Sequence, residues 1–328
     1  MIKLARRQFL RLVGSAAATP AISRIASAQT PVYPTRPVKL VVPFNAGGST
    51  DLIARIICQW LSERLGQPFV VENRPGGGTN IAVQQVVNAP PDGYTLLYTV
   101  STHAINPSLY KKLPFDFLRD IVQVGGLCEL PLVMVMNPQV PAKDVAEFTT
   151  YAKSNPGKIN MASFGVRTIS HLTIELLKGS TGIDFVHVPY TGGAPMLTDI
   201  ISGRIQAGVD ALPNSLPHIR SGSVKALAIM SRARTPALPD VPVMGEVIPG
   251  FEATTWTGVG APKGTPAAIV DRLSREIAEG LQDAAVLKRF ADVGGVPIRA
   301  NSAEMTEIIT KDTEKWAKVV KAAGIEPE

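Results

Sequence analysis

The chain has 328 residues, 45% of them hydrophobic, and a formal net charge of +6. That length and apolar content allow two compact lobes or one large domain and exclude a wholly disordered chain. The charge is concentrated at one end: Lys3, Arg6, Arg7, Arg11 and Arg24 contribute +5 within residues 1–28, which hold no acid. Of 33 Lys and Arg, 28 remain beyond that stretch against 27 acidic residues, a net +1, so nucleic acid has no electrostatic claim as a partner.

Residues 1–28 read as an export signal. A basic start is followed by an Ala-rich apolar stretch, and Ala26-Ser27-Ala28 fits the small-x-small cleavage pattern. The run RRQFLR (6–11) resembles the twin-arginine form of such signals, with a general secretory signal as the alternative. The mature chain, starting at Gln29, is expected to be soluble and periplasmic. No later stretch approaches the ~20 uninterrupted apolar residues of a membrane span.

In chain order, VKLVVPF (38–44) predicts a buried strand. STDLIARIICQWLSERLG (49–66) has apolar residues at helical spacing, with Ser49 or Thr50 able to cap its start and Gly66 to end it. PFVVENR (68–74) predicts a second strand and NIAVQQVVNA (80–89) a second helix. Pro90, Pro91 and Gly93 enforce a turn before a third strand, YTLLYTV (94–100). Three strands separated by two helices require a parallel sheet with right-handed crossovers.

After Gly126 the pattern restarts. LPLVMVMN (130–137), INMASFG (159–165), DFVHVPY (184–190), IQAGVDAL (205–212) and VKALAIMS (224–231) predict strands, with helices over 142–156, 169–182 and 194–204. A proline-rich stretch, 235–250, leads to FEATTWTGVGAPKGT, and helical segments over 266–283 and 302–324 close the chain. The expectation is an α/β protein of two interleaved lobes. Lobe 1 would hold residues 29–129 and 254–328, lobe 2 residues 130–253, with two chain crossings as a hinge and the tail returning to lobe 1. Cys58 and Cys128, the only cysteines, sit among apolar neighbours and read as buried thiols rather than a disulfide.

Ligands of open α/β sheets settle outside the carboxyl ends of the strands. Four such ends carry suitable loops: PFNAGGSTD (43–51), STHAIN (101–106), SFGVRTISH (163–171) and PYTGGAP (189–195). After the first and third a helix starts at once, leaving backbone N–H groups without internal acceptors at the positive end of the dipole. Such a start is a ready anion site, and two of them, one per lobe, can grip one carboxylate. Glycine after a strand is more often simple turn chemistry, so the weight lies in the conjunction of loops. A phosphate loop, GxxxxGK[ST], is absent, as is GxGxxG at the first strand.

The chain resembles the periplasmic solute-binding proteins of tripartite tricarboxylate transporters, the Bug-type receptors. The segments that carry the resemblance are YPTRPVKLVVPFNAGGSTD, VVENRPGGGTNIA, APPDGYTLLYTVSTHAINPSLYKKLPFD, SNPGKINMASFG, FVHVPYTGGAPMLTDIISG, LPDVPVMGE and KWAKVVKAAGI, together spanning nearly the whole mature chain. The resemblance implies a type II periplasmic-binding-protein fold that closes on a carboxylate. It implies a pincer of two loops, one of Phe44, Asn45, Ala46, Gly47, Gly48, Ser49, Thr50 and Asp51, the other of Ser163, Phe164, Gly165, Val166, Arg167 and Thr168. Thr102, His103, Tyr190 and Asp210 would line the rest of the cleft. The implied partners are a small carboxylated ligand and integral-membrane transporter subunits, with the receptor itself a monomer free of cofactor and metal.

Where relatives have SxGxGT this chain has SFGVRT, so Arg167 replaces a small residue. Its planar fork of donors suits a second carboxylate on the ligand; the alternative is an arginine turned to solvent. Asp51 reads equally as a first-turn dipole partner and as a ligand contact, and Asp210 as a cleft residue or a domain-internal hydrogen-bond partner. Phe44 and Phe164 read as core packing before ligand stacking, Trp256 as hinge packing, and His187 and His218 as structural. His171 reads as packed or solvated rather than cleft-lining.

An enzyme finds no support in the motifs, for HExxH and GxSxG are both missing. A receptor that presents its ligand to a membrane sensor kinase is the alternative to transport.

Overall fold

The computed structural model describes residues 33–327; the export-signal reading of residues 1–28 falls outside them. From its first strand the chain alternates as read from the sequence. β1 (Val38–Val42), α1 (Ser49–Leu65), β2 (Phe69–Asn73), a 3₁₀ turn (Gly77–Thr79), α2 (Asn80–Val87) and β3 (Thr95–Val100) follow in order. β1 pairs in parallel with β2 on one side and β3 on the other. Its apolar run is buried on both faces except at Lys39, as a strand inside a parallel sheet must be.

The next elements depart from the reading. STHAIN is not a loop but the start of α3 (Thr102–Leu109), which tolerates Pro107 inside it. After the single turn α4 (Phe117–Asp120), one strand, β4, runs unbroken from Ile121 to Met136. The sequence pattern showed only its second half, because Gly125 and Gly126 interrupt the run. Then come α5 (Val145–Lys153), β5 (Asn160–Ser163), α6 (Ile169–Thr181), β6 (Val186–Pro189), α7 (Gly193–Ile201), β7 (Ala207–Ala211), α8 (Leu212–Arg220) and β8 (Lys225–Ile229). α8 escaped notice because Pro213 and Pro217 lie in it; Pro213 sits in the first turn, where its missing N–H costs nothing. α9 (Met244–Val247), β9 (Thr254–Pro262), α10 (Ala267–Gly280), α11 (Ala284–Asp292), β10 (Val296–Pro297) and α12 (Ser302–Ala322) complete the chain.

The strand order is β2-β1-β3-β9-β4-β7-β5-β6, with β8 and β10 also paired to β4. β4 belongs to two sheet segments: residues up to Pro131 pair with β9 antiparallel, and Leu132–Met136 pair with β7. β4 and the stretch entering β9 are where the chain passes between the two sheet segments. The tail does not simply return to the first segment. α12 places Met305 and Ile309 with Val41 and Leu97, but Trp316 and Val320 with Met134 and Phe148 of the other segment. Full burial of a side chain such as Phe148 stabilises by about 1.5–3 kcal/mol. Cys58 and Cys128 are buried free thiols, both pushed up to about 12 by burial, which leaves them inert.

Candidate functional site

The β1–α1 loop is built to leave amides open. Gly47 adopts φ +86, in the region that favours glycine. Gly48 is the N-cap of α1, and with no side chain it caps nothing. Ser49 and Thr50 therefore lie within the helix and do not cap it, contrary to the sequence expectation. The first-turn amides of Ser49, Thr50 and Asp51 have no intrahelical acceptor. Asn45 and Ala46 are exposed, and Phe44 is half-buried.

Asp51 is 2% exposed, and its carboxylate receives four donors. Arg55 donates from Nε (2.9 Å) and Nη2 (3.0 Å), Asn73 from Nδ2 (3.0 Å), and Gly47 from its backbone N–H (3.0 Å). These fill the oxygen lone pairs. Burial by itself raises this carboxyl, yet the Arg55, Gly47 and Asn73 hydrogen bonds overcome it and hold its pKa below the ordinary value. Asp51 thus braces the loop. Asn73 adds a second tie, donating to the Phe44 carbonyl at 3.0 Å.

The β5–α6 loop follows the same logic with different parts. Thr168 is the N-cap of α6, but its hydroxyl donates to the Gly165 carbonyl (2.8 Å) instead of capping the helix. The amides of Ile169, Ser170 and His171 are therefore uncapped. Ser163 also donates to the Gly165 carbonyl (3.1 Å) and meets His187 Nε2 at 2.7 Å. Val166 is exposed, and Phe164 packs at the margin of the core around Ile105 and Leu109. Arg167 holds φ +60, a left-handed conformation that costs a non-glycine residue roughly 1–2 kcal/mol.

The loops after β3 and β6 also lead into helices without side-chain caps, α3 and α7. α5, α11 and α12, by contrast, are capped by Asp144, Asp283 and Asn301. α2, α8, α9 and α10 start uncapped too, so a missing cap alone marks nothing. Open starts placed after a strand end recur at α1, α3, α6, α7 and α8, and the loops singled out in the sequence precede the first four.

The remaining sequence candidates fare differently. Thr102 opens α3 and is buried. His103 turns to Phe117, ring centroids 4.9 Å apart, and lines a cavity of about 360 Å³ with Leu113, Phe115 and Thr313 that includes none of the loop residues. Its Nδ1 accepts from the Val100 N–H (3.3 Å), and burial pushes its pKa down to about 3. The Tyr190 hydroxyl donates to Asp199 (2.8 Å) in α7. Asp210 is fully buried and accepts from Ser215 (2.8 Å) and Asn214 (3.3 Å), the domain-internal alternative. Burial pushes its carboxyl up to about 6 despite these donors. His103 Nδ1 and the Asp210 carboxyl are thereby occupied in internal hydrogen bonding, while His103 Nε2 is buried without a hydrogen-bond partner.

Among the contacts that sequence reading missed, one joins the two sheet segments. The Arg167 guanidinium lies 6.0 Å from the centroid of the Tyr110 ring. The Tyr110 hydroxyl donates to the Gly77 carbonyl (3.5 Å), and Asn106 donates to the Gly78 carbonyl (2.9 Å). A Cβ on Gly78 would collide with that hydroxyl. Trp256 donates to Asp312 of α12 at 2.7 Å. The i,i+4 spacing of Asp51 and Arg55 was a readable signal; Tyr110 and Asn73 carried none. Among the described residues no three His, Cys, Asp or Glu side chains gather to hold a metal, and no helix is long and apolar enough to cross a membrane.

Parallel strands ending in open helix starts on both sides of two crossing strands define a solute-binding receptor of the type II periplasmic-binding-protein plan. Solved structures agree. R. palustris Rpa4515, determined with adipate, matches with a TM-score of 0.86 at 36% identity, covering 90% of this chain and 100% of that one. MatC (Rpa3494) from Rhodopseudomonas palustris, with bound malate, matches with a TM-score of 0.81 at 34% identity, covering 88% and 100%. The family model described as "Tripartite tricarboxylate transporter family receptor" matches residues 53–325. Protein BugT of Bordetella pertussis is 38% identical over 97% of this chain and 98% of its own length. The chain belongs to the tripartite tricarboxylate transporter receptor family.

Proposed function

We propose that this receptor binds a small organic acid carrying at least two carboxylates and presents it, unaltered, to the integral-membrane subunits of its transporter from the periplasm. One carboxylate sits on the first-turn amides of α1 and α6; Arg167 takes the second. The observation that carries this reading is the saturated Asp51. A carboxylate that spends all its acceptor capacity on Arg55, Asn73 and Gly47 holds the β1–α1 loop in shape while leaving the helix start open. Preorganised amides bind a charged acceptor without a reorganisation cost.

The two sheet segments act as lobes divided near residues 129 and 253, flexing at β4 and the entry to β9, and ligand closes them. Adipate and malate, held by the relatives described above, are the first acids to test. Thermal denaturation of the purified mature protein against a panel of mono-, di- and tricarboxylates identifies the ligand. At one hundred times its Kd the right acid stabilises by about 2.7 kcal/mol. Small-angle scattering with that acid shows a smaller radius of gyration. A panel in which no carboxylate shifts the melting curve sinks the proposal, and chemical change of the bound acid would sink its receptor part.

A further inference from the structure

Arg167 combines a left-handed backbone with a position in the β5–α6 loop, so something must hold it there. Its backbone N–H donates to His171 Nδ1 at 3.0 Å. A ring nitrogen that accepts a hydrogen bond carries no proton, so His171 is the neutral Nε2–H tautomer. Behind it the His187 ring stacks nearly parallel, centroids 4.0 Å apart and planes 8° from each other. The Ser163 hydroxyl meets His187 Nε2 at 2.7 Å and the Gly165 carbonyl at 3.1 Å. The stacked rings of His171 and His187 thus tie together Ser163, Gly165 and Arg167, three residues of one loop.

We propose that His171 is a positioning residue for ligand binding: its unprotonated Nδ1 holds Arg167 in the left-handed conformation, and a proton on that nitrogen releases the loop and weakens affinity. This rests on the carboxylate-receptor reading above. A proton on Nδ1 turns the acceptor into a donor facing a donor, so the contact reverses from attractive to repulsive. His187 reinforces the neutral state, because a second charge 4.0 Å away across the stack opposes the first.

The charged groups around His171 are Glu175, whose Oε1 lies 3.8 Å from Nε2, Lys178, which approaches the same Glu175 at 4.0 Å, Arg167 in the loop and His187 on β6. Burial first, then His187, Arg167 and Lys178, pushes His171 down to about 4, and burial and Lys178 lower His187. With the loop released His171 titrates nearer its ordinary value of about 6.5. The ligand-free loop is already the held one, so affinity is full well above about 4 and falls as pH drops through that value, by about twofold at pH 4 and more below it.

Calorimetric titration with malate and with adipate from pH 8 to 3.5 tests this, using wild type, His171→Leu and His171→Asn. Comparing proteins at each pH divides out the acids' own titration. His171→Leu, with no acceptor, is expected to bind about tenfold more weakly at pH 7.5. His171→Asn, whose amide oxygen can take the Arg167 N–H, is expected to recover part of that loss and to show a flatter pH profile than wild type. Equal pH profiles in wild type and His171→Asn overturn the proposal. A wild type that binds neither acid at pH 7.5 counts against these acids as ligands, and the loop is then read without ligand. ¹⁵N NMR of the wild type follows the Arg167 amide as His171 titrates: the two are expected to move together with a midpoint below 6.5. An Arg167 amide indifferent to His171 protonation overturns the proposal whatever binds.

Discussion

Asp51 and Arg167 show two ways in which a single residue can serve a loop. Asp51 is buried and saturated, so its removal unties Gly47, Arg55 and Asn73 together. Asp51→Ala is expected to lower stability by about 1–3 kcal/mol, the usual cost of stranded hydrogen-bond partners, and to weaken carboxylate binding at least tenfold. Chemical denaturation and calorimetry read the two effects separately, and unchanged affinity would remove Asp51 from the site. Arg167 lies at φ +60. Arg167→Gly relieves that strain and is expected to raise stability by roughly 1 kcal/mol, while dicarboxylate affinity falls and monocarboxylate affinity does not. A destabilised Arg167→Gly protein would mean that the side chain holds the loop instead of straining it.

At the scale of an element, α1 is a conventional amphipathic helix whose unusual part is its first turn. Gly48 has φ −81 and ψ 171, an extended conformation that any residue adopts, and a Cβ there meets nothing closer than ordinary contact. Glycine is not required by sterics at this position, which points to its lack of a side chain. Gly48→Asp adds an N-cap acceptor and is expected to stabilise the protein by about 0.5–2 kcal/mol. The same carboxylate occupies the open amides, so ligand affinity should fall by more than tenfold. A Gly48→Asp protein that binds as tightly as wild type would show that the amides of α1 hold no anion.

Elements were legible where they bury a regular pattern. β1, α1, β2, α2 and β3 follow the sequence reading because β1 and β3 are short, almost wholly buried apolar runs and α1 and α2 carry apolar residues at helical spacing. β4 and α8 did not, because glycine breaks the apolar pattern of β4, where the register with β9 shifts but the strand continues, and proline that of α8 without ending the helix. α3 was misread for the same reason, with Pro107 in its last turns.

Over the whole molecule, α12 decides how the segments are held. Its first turns pack Met305 and Ile309 in one core, and its last turns pack Trp316 in the other. Stability should also depend on pH. His103 and His171 are depressed to about 3 and about 4 by burial, below their unfolded value of about 6.5. The native state therefore binds fewer protons, and stability is lost as pH falls from about 6.5 toward 4. Asp210, raised to about 6, acts oppositely: its contribution is present at low pH and lost as pH rises through 6. With two imidazoles against one carboxyl, the urea midpoint is expected to fall between pH 7 and pH 5, and a midpoint that rises would mean that these histidines are solvated.

By itself the sequence determined the class of fold, the strand ends that carry glycine-rich loops, the missing catalytic and phosphate motifs, and the buried unpaired thiols. Each of these follows from short-range pattern, since the alternation of apolar and polar residues records which face meets the core. Only the tertiary structure decided that Asp51 is spent on Asn73, that His103 and Asp210 are used internally, that His171 rests on His187 and that α12 spans both cores. Those facts depend on side chains far apart along the chain meeting at hydrogen-bond or stacking distance, and no local periodicity encodes such a meeting.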